Sequence, residues 1–131
     1  MKIKILAIMN HEPNLVDFHC NAGDAVGLWR SSKLRPVVGQ QYEVELDTSV
    51  MLRDDAIILT PDQSLITHLE RLNPTTRLTA TVERVDDDGM AYLRVATDCI
   101  LMAESQGTLV RPGVMVSLTL EPTELQISPI G

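Results

Sequence analysis

The chain consists largely of short runs in which apolar and polar residues alternate, and almost every run ends at a turn residue. Alternation with a period of two buries one set of side chains and leaves the other in solvent, which is typical of a half-buried β-strand. The clearest runs are KIKILAI, LVDFHC, DAVGLW, YEVELDT, RLTATVERV, MAYLRVAT, DCILMAE, VMVSLTL and ELQISPI. No apolar run approaches the roughly 18–20 residues that a membrane helix requires. The pattern therefore predicts a soluble, all-β fold.

One segment, TPDQSLITHLERLNP, departs from this alternation. Thr60 is a candidate N-cap, Pro61 takes the first helical position, and Gln63 completes the spacing of a capping box. The apolar residues that follow lie at helical spacing: Leu65, Ile66, Leu69 and Leu72. The segment predicts one short helix over about 61–72, ended by Asn73–Pro74, whose apolar stripe covers a barrel end or a sheet face.

The predicted helix separates two stretches of β pattern. We therefore expect a first β unit over 1–53, a connector over 54–76 that contains the helix, and a second β unit over 77–131. The two units show a similar order of strands and turns, which either an internal duplication or the shared pattern of β proteins explains. The expected architecture is two OB-like or meander units packed as a barrel pair or a sandwich, with a single domain as the alternative.

Acidic residues dominate the charge of the chain, which is −7 at pH 7. Residues 1–53 are neutral overall, residues 54–76 carry a net charge of −3, and residues 77–131 carry −4. Binding to phosphate backbones depends on clustered lysine and arginine, so this balance argues against a general nucleic-acid binder. An acidic surface instead favours a basic protein partner, because complementary charge speeds encounter and gives specificity.

Nothing in the sequence has the spacing of a catalytic or metal site. Cys20 and Cys99 lie in apolar stretches, and we expect two buried thiols in a reducing cytoplasm or, alternatively, a single bridge between the halves. The chain lacks CxxC, HxxxH, GxSxG and glycine-rich phosphate motifs, so we expect no enzyme activity, no metal and no cofactor. The first ten residues lack the small-residue cleavage site of a signal peptide, so we expect a cytoplasmic protein that does not contact membranes.

Two acidic features are candidates for contact with a partner. In YEVELDT, Glu43, Glu45 and Asp47 alternate with apolar residues, so they share one outward face of a strand. The run Asp86–Asp88 precedes Gly89 between two alternating segments, which predicts a β-hairpin turn with an acidic tip. A calcium loop would alternate its acidic ligands and close with a distal glutamate, and this run does neither. The candidate partner-binding residues are Glu43, Glu45, Asp47, Asp86, Asp87 and Asp88.

The one local cluster of cations lies beside the single tryptophan of the chain. Trp29, Arg30, Lys33 and Arg35 form an alternative patch for a single nucleic-acid strand, because an aromatic ring stacks on bases and cations neutralise phosphates. Few other aromatic residues are present to extend such a platform. We therefore favour a structural role in which Trp29 anchors a loop to the core.

The second half of the chain resembles the small OB-like β units that include the TOBE modules of transport ATPases. The resemblance is carried by the TVERV strand, by the D-G…YLRV hairpin and by the closing RPG-V-V-L-L-P segment. It implies a small β-barrel that binds a ligand, such as an oxyanion, between tandem units. The Ser-x-Arg-Asn type opening of the oxyanion-binding members is missing here, so no site residue is carried over.

The layout of the chain also resembles that of small, acidic, bacterial immunity-type proteins, through the strand G-x-x-Y-x-V-E-L-D. This resemblance implies an acidic surface that docks on the basic cleft of a toxin. We therefore expect a non-catalytic protein-binding module, most specifically an acidic immunity or inhibitor protein that neutralises a basic toxin. The alternatives are a TOBE-like module for a small ligand and a single-strand nucleic-acid binder.

Overall fold

Alternating sequence becomes β-strand along nearly the whole chain. The computed structural model describes residues 1–59 and 65–130, and these residues form a ten-stranded sheet. The strands are β1 (Lys2–His11), β2 (Asn14–Cys20), β3 (Gly23–Trp29), β4 (Gln41–Thr48), β5 (His68–Arg71), β6 (Thr76–Val85), β7 (Met90–Ala96), β8 (Cys99–Glu104), β9 (Met115–Leu120) and β10 (Leu125–Pro129). A 3₁₀ turn spans Asp54–Ala56. The all-β prediction is confirmed.

The sheet closes on itself. Its strand order is β1-β2-β3-β10-β4-β8-β7-β6-β5, with β9 paired to β6. Two further pairings, β1 with β4 and β3 with β5, join strands that are distant in this order, and an eight-stranded β-barrel results. Within the described residues, no helix has the length and apolar character needed to cross a membrane.

The core lies where the inward-facing residues of the strands meet. Phe18 on β2, Leu46 on β4, Leu93 on β7, Leu101 on β8 and Ile127 on β10 are all fully buried. Fully burying a side chain of this kind contributes about 1.5–3 kcal/mol relative to leaving it in water. Both halves of the chain supply residues to this one hydrophobic cluster.

The two halves share strands as well as a core. β10 runs between β3 and β4, parallel to the first and antiparallel to the second. β4 also pairs in parallel with β8, through Leu46 and Leu101. Strands from residues 1–53 and 77–131 are therefore hydrogen-bonded to one another, and the joint between them lies at β4, β8 and β10.

The predicted hairpin at the acidic turn is present. β6 and β7 are antiparallel, with Val85 opposite Ala91. Between them, the Gly89 N–H donates to the Asp86 carbonyl at 2.9 Å, and Gly89 has a φ of 90°. This backbone conformation is readily adopted by glycine and rarely by other residues.

The predicted helix over 61–72 is wrong where the structure describes it. Residues 60–64 lie outside the described residues, but His68–Arg71 form strand β5, antiparallel to β6. Leu69 is buried against the core, whereas Ile66 is 72% exposed. Helical spacing would have buried both, so pairing with β6 overrides the local apolar spacing. The Asn73–Pro74 step, interpreted as a helix end, lies in the turn of the β5–β6 hairpin, where the Leu72 N–H donates to the Thr75 carbonyl at 2.8 Å.

Candidate functional site

A groove with acidic and methionine side chains lies on the outside of the barrel, where the two halves of the chain meet. We call it the acidic groove. It has a volume of about 260 Å³ and is lined by Asp47, Thr48, Ser49, Met51, Met90, Met102, Ala103 and Glu104. Its walls therefore come from the end of β4, the segment that follows it, and the adjoining strands β7 and β8.

Strand register brings these side chains together. Asp47 stands opposite Met102 across the parallel β4–β8 pairing, and Met90 stands opposite Glu104 across the antiparallel β7–β8 pairing. Opposed residues of neighbouring strands project their side chains from the same face of the sheet. Because Leu46, Leu101 and Ala103 point into the core, the alternate positions on the same strands point into the groove.

Asp47 has an unusual environment in this groove. Its Oδ1 is buried and has no hydrogen-bond partner, although the residue as a whole is half-buried. Burial raises the pKa of Asp47 above its ordinary value of 3.8, nearby Arg30 lowers it in part, and Glu45 raises it. A buried polar atom without a partner is rare in folded proteins, so this carboxylate is the feature of the groove that calls for a function.

The rest of the groove supplies a second carboxylate and soft apolar walls. Glu104 is exposed on β8, while Met51, Met90 and Met102 are each half-buried. Methionine side chains are flexible and polarisable, and they adapt to the shape of whatever packs against them. The groove therefore combines two negative charges with an adaptable apolar surface.

A second, wider groove of about 530 Å³ adjoins the acidic groove and shares Met102 with it. Its cations are paired locally: Arg94 Nη2 lies 2.7 Å from Glu83 Oε1, and Arg84 Nε lies 3.1 Å from Asp86 Oδ1. The Arg84 guanidinium also covers the Tyr92 ring at 4.0 Å from its centroid. These arginines are already neutralised, so the wider groove does not offset the charge of the acidic groove.

The six predicted partner-binding residues do not form one cluster. Glu43, Glu45 and Asp47 lie together on the outer face of β4, as the alternation predicts. Asp86 directly follows β6, which is three strands away from β4 in the strand order. It accepts a hydrogen bond from the Tyr92 hydroxyl at 3.0 Å, in addition to its contact with Arg84. Of the six, only Asp47 lines the acidic groove.

The tip of the hairpin is partly occupied by its own turn. Asp88 Oδ1 accepts the Met90 N–H at 3.1 Å, which stabilises the turn, and Asp87 is exposed. Glu104 and the three methionines are not among the residues predicted from the sequence. The alternation in DCILMAE could have indicated Met102 and Glu104, since it places both on the outward face of a strand.

The alternative nucleic-acid patch is divided by the fold. Trp29 is only 4% exposed, its Nε1 donates to the Leu34 carbonyl at 2.6 Å, and its ring meets Tyr42 edge-on at 5.0 Å. It anchors the loop after β3 and has no open face for a base. Arg30 donates to Gln126 Oε1 at 2.9 Å, whereas Arg35 lines a separate groove of about 460 Å³ with His11, Asn14, Ser31 and Ser32 among its neighbours.

No metal-binding cluster was found: among the residues that the structure describes, no three histidine, cysteine or acidic side chains are placed to hold one ion. His19 contacts Asp24 at 2.6 Å and is exposed, on the face opposite Phe18 and Cys20. His68 Nδ1 lies 2.7 Å from the Ile66 carbonyl oxygen.

Replacing Asp47 with asparagine is expected to stabilise the protein at neutral pH, by up to about 1 kcal/mol because the residue is only half-buried. The raised pKa means that the folded state holds the Asp47 proton more tightly than the unfolded state, so the charged form weakens folding at pH values above that pKa. The gain should be complete at pH 7 and absent near pH 3, where Asp47 is protonated in both states. Urea unfolding at the two pH values measures it.

Asp87→Asn is the matched control, because it removes the same charge from an exposed position on the hairpin tip. Any general relief of repulsion in this acidic protein will appear in both variants. An equal gain in the two variants would show that burial of Asp47 is not the cause.

No protein-family model matches the chain, and no curated protein or solved structure matches it.

Proposed function

We propose that this protein is a non-catalytic protein-binding module whose acidic groove receives a lysine or arginine side chain of a basic partner. The observation that carries this proposal is the buried Asp47 Oδ1, which has no hydrogen-bond partner. In the free protein this atom has lost water and gained no donor. A partner that brings a donor into the groove removes that cost when it binds.

A guanidinium or ammonium group is the donor that suits the groove. It carries positive charge to two carboxylates, Asp47 and Glu104, and charge-assisted hydrogen bonds are about twice as strong as neutral ones. The aliphatic part of such a side chain also needs an apolar surface. Met51, Met90 and Met102 provide it within the same groove.

The position of the groove bears on the choice between a cation and an oxyanion. A TOBE-like ligand is expected between the two β units, and the acidic groove does lie between β4 of the first unit and β7 and β8 of the second. An oxyanion placed there would meet Asp47 and Glu104 and would be repelled. The charge of the lining therefore supports a cationic ligand.

The net charge of the whole chain also favours a cationic partner. A net charge of −7 produces a field that attracts a basic protein and repels nucleic acid. Glu45 extends negative charge along β4 away from the groove, whereas Glu43 pairs with the N-terminal ammonium at 3.3 Å. The most specific form of the proposal is an inhibitor or immunity protein that covers the basic cleft of a toxin, with one cationic side chain of the toxin seated beside Asp47.

The test uses short peptides that carry one arginine between leucines, with a matched peptide in which glutamate replaces arginine. Titration followed by amide chemical shifts should move residues 45–51 and 90–104 with the arginine peptide and leave them unmoved with the glutamate peptide. The double variant Asp47→Asn, Glu104→Gln should weaken binding at least tenfold, because it removes both charges that face the ligand. Higher salt should weaken binding of the native protein.

Glu12→Gln is the matched control, because Glu12 is exposed in the turn between β1 and β2 and lines a different groove. It should bind the arginine peptide as the native protein does. Equal binding by the native protein and the double variant, or shifts confined to residues outside the two segments, would contradict the proposal.

A second candidate function rests on the groove that Arg35 lines. Within the described part of the chain, neither Lys33 nor Arg35 makes an ion pair with an acidic residue, and Ser32 and His11 are exposed nearby. Arg35, Ser32 and His11 would bind a phosphate of a nucleic-acid strand or a small oxyanion, and the Glu12 carboxylate in the same groove would oppose this binding. Titration with phosphate and with oligothymidylate distinguishes the two functions, because this one predicts shifts in residues 11–14 and 31–36.

A further inference from the structure

The two cysteines belong to the same hydrophobic core, although 78 residues separate them in the sequence. Cys20 ends β2 and Cys99 begins β8, and both are buried. Their neighbours Asn21 and Asp98 are exposed and joined by a hydrogen bond of 2.9 Å from Asn21 Nδ2 to Asp98 Oδ2. Adjacent strand residues point to opposite sides, so the two thiols point inward at the place where this surface bond joins the two turns.

The two thiols affect each other's ionisation in opposite directions. A hydrogen bond with the Cys99 thiol lowers the pKa of Cys20 to about 7, and the backbone N–H groups of Ala22 and Gly23 add to this effect. The pKa of Cys99 is raised, first by the same hydrogen bond and then by burial. Of the two thiols, Cys20 is therefore the one that ionises more readily.

We propose that Cys20 and Cys99 form a reversible oxidation site, at which a small hydroperoxide converts the two thiols into a disulfide between the halves of the barrel. This inference is independent of the proposed function, since neither cysteine lines the acidic groove. A buried cysteine without activation is inert. The pairing with a second thiol and the turn N–H groups distinguish Cys20 from such a residue.

The reaction proceeds in two balanced steps. The Cys20 thiolate attacks one peroxide oxygen, the O–O bond breaks, and the departing oxygen takes a proton, which leaves a sulfenic acid on Cys20 and one molecule of water or alcohol. Cys99 then attacks the Cys20 sulfur, the S–S bond forms, the S–O bond breaks, and water leaves with the Cys99 proton. Two thiols lose two electrons, and the peroxide gains them.

Burial decides both the order of attack and the size of the oxidant. Cys20 is 4% exposed and Cys99 is fully buried, so only a small peroxide reaches the pair, and it reaches Cys20 first. Thiol–disulfide exchange with a small dithiol restores the two thiols. In this exchange the protein disulfide is reduced and the dithiol is oxidised. The disulfide closes a loop between residues 20 and 99. A disulfide that closes a longer loop stabilises the folded state more.

The experiment treats the reduced protein with hydrogen peroxide at neutral pH. Intact mass should show the loss of two hydrogen atoms, thiol titration should fall from two groups to none, and the product should remain a monomer. Its melting temperature should rise by roughly 10 °C and return to the starting value after dithiothreitol. Cys99→Ser should accumulate a sulfenic acid at Cys20 that dimedone traps, whereas Cys20→Ser should react far more slowly.

Two outcomes would overturn the proposal without depending on either variant. One is a native protein that keeps both thiols at a peroxide concentration that oxidises the unfolded protein. The other is oxidation that yields only crosslinked dimers or higher acids. Equal peroxide reactivity of Cys20→Ser and Cys99→Ser would overturn the assigned order of attack.

Discussion

Replacing Gly23 with alanine is expected to lower the free energy of unfolding by about 3 kcal/mol or more. Gly23 has a φ of 131°, and a methyl group there would overlap the carbonyl oxygen of Leu69. Gly23 pairs with Leu69, and the Leu69 N–H donates to the carbonyl of Ala22, the residue before Gly23, at 2.8 Å. The alanine variant must therefore combine backbone strain with separation of β3 from β5.

Gly39→Ala separates these two contributions. Gly39 also has a positive φ, at 87°, but no atom lies within contact distance of the added methyl group. The free energy of unfolding of this variant should fall by only about 1 kcal/mol, because alanine at a positive φ is strained but meets no other atom. Chemical denaturation of both variants, with limited proteolysis near residues 66–72, provides the comparison. Equal losses in the two variants would show that the contact at Leu69 contributes nothing to stability.

Replacing Arg71 with methionine is expected to cost about 2–3 kcal/mol at neutral pH. The Arg71 guanidinium contacts the carboxylate of Asp17, which is 8% exposed on β2. Removing one partner of such a pair leaves the other charge buried without compensation, which is costly. The expected loss lies below the usual range for fully buried pairs because the Arg71 side chain is 30% exposed.

The loss should depend on pH in a defined direction. Burial already raises the pKa of Asp17 above 3.8, and Arg71 opposes that rise, so the variant should have a still higher pKa. A raised pKa in the folded state means that stability falls as pH rises through it. The loss in free energy of unfolding caused by Arg71→Met should therefore be smaller near pH 4 than at pH 8. Guanidinium unfolding at both pH values measures it.

Arg77→Met is the control, because Arg77 is an exposed arginine on the neighbouring strand β6. Its stability should change by less than about 0.5 kcal/mol at either pH. A deficit of Arg71→Met that stays constant with pH would show that the buried carboxylate is not its origin.

The strands of this fold were predictable because alternation is a local property. The segment YEVELDT buries Val44 and Leu46 and exposes Glu43 and Glu45, as its pattern predicts. The segment around Leu69 was not predictable in the same way. Its apolar residues satisfy helical spacing locally. Its strand conformation depends on hydrogen bonds to β6 across the following turn and on a single pairing with Gly23, which is distant in sequence.

The candidate site was only partly predictable for the same reason. That Asp47 points outward follows from alternation within β4. Its buried oxygen and its proximity to Met102 depend on the pairing of β4 with β8, which brings together residues far apart in the chain. Parallel pairing between distant strands leaves no spacing in the sequence from which it can be inferred.

The position of β10 has a consequence for the order in which this protein folds. Gln126 and Ile127 pair with Leu28 and Trp29 on one side and with strand β4 on the other. A ribosome releases β3 and β4 long before β10. Although β3 pairs with β2 and β4 pairs with β1, the edges that β10 later covers stay unpaired during synthesis. Such edges recruit other chains, and proteins dominated by distant pairings fold in milliseconds to seconds. The first half of the chain therefore exposes strand edges until β10 has been made.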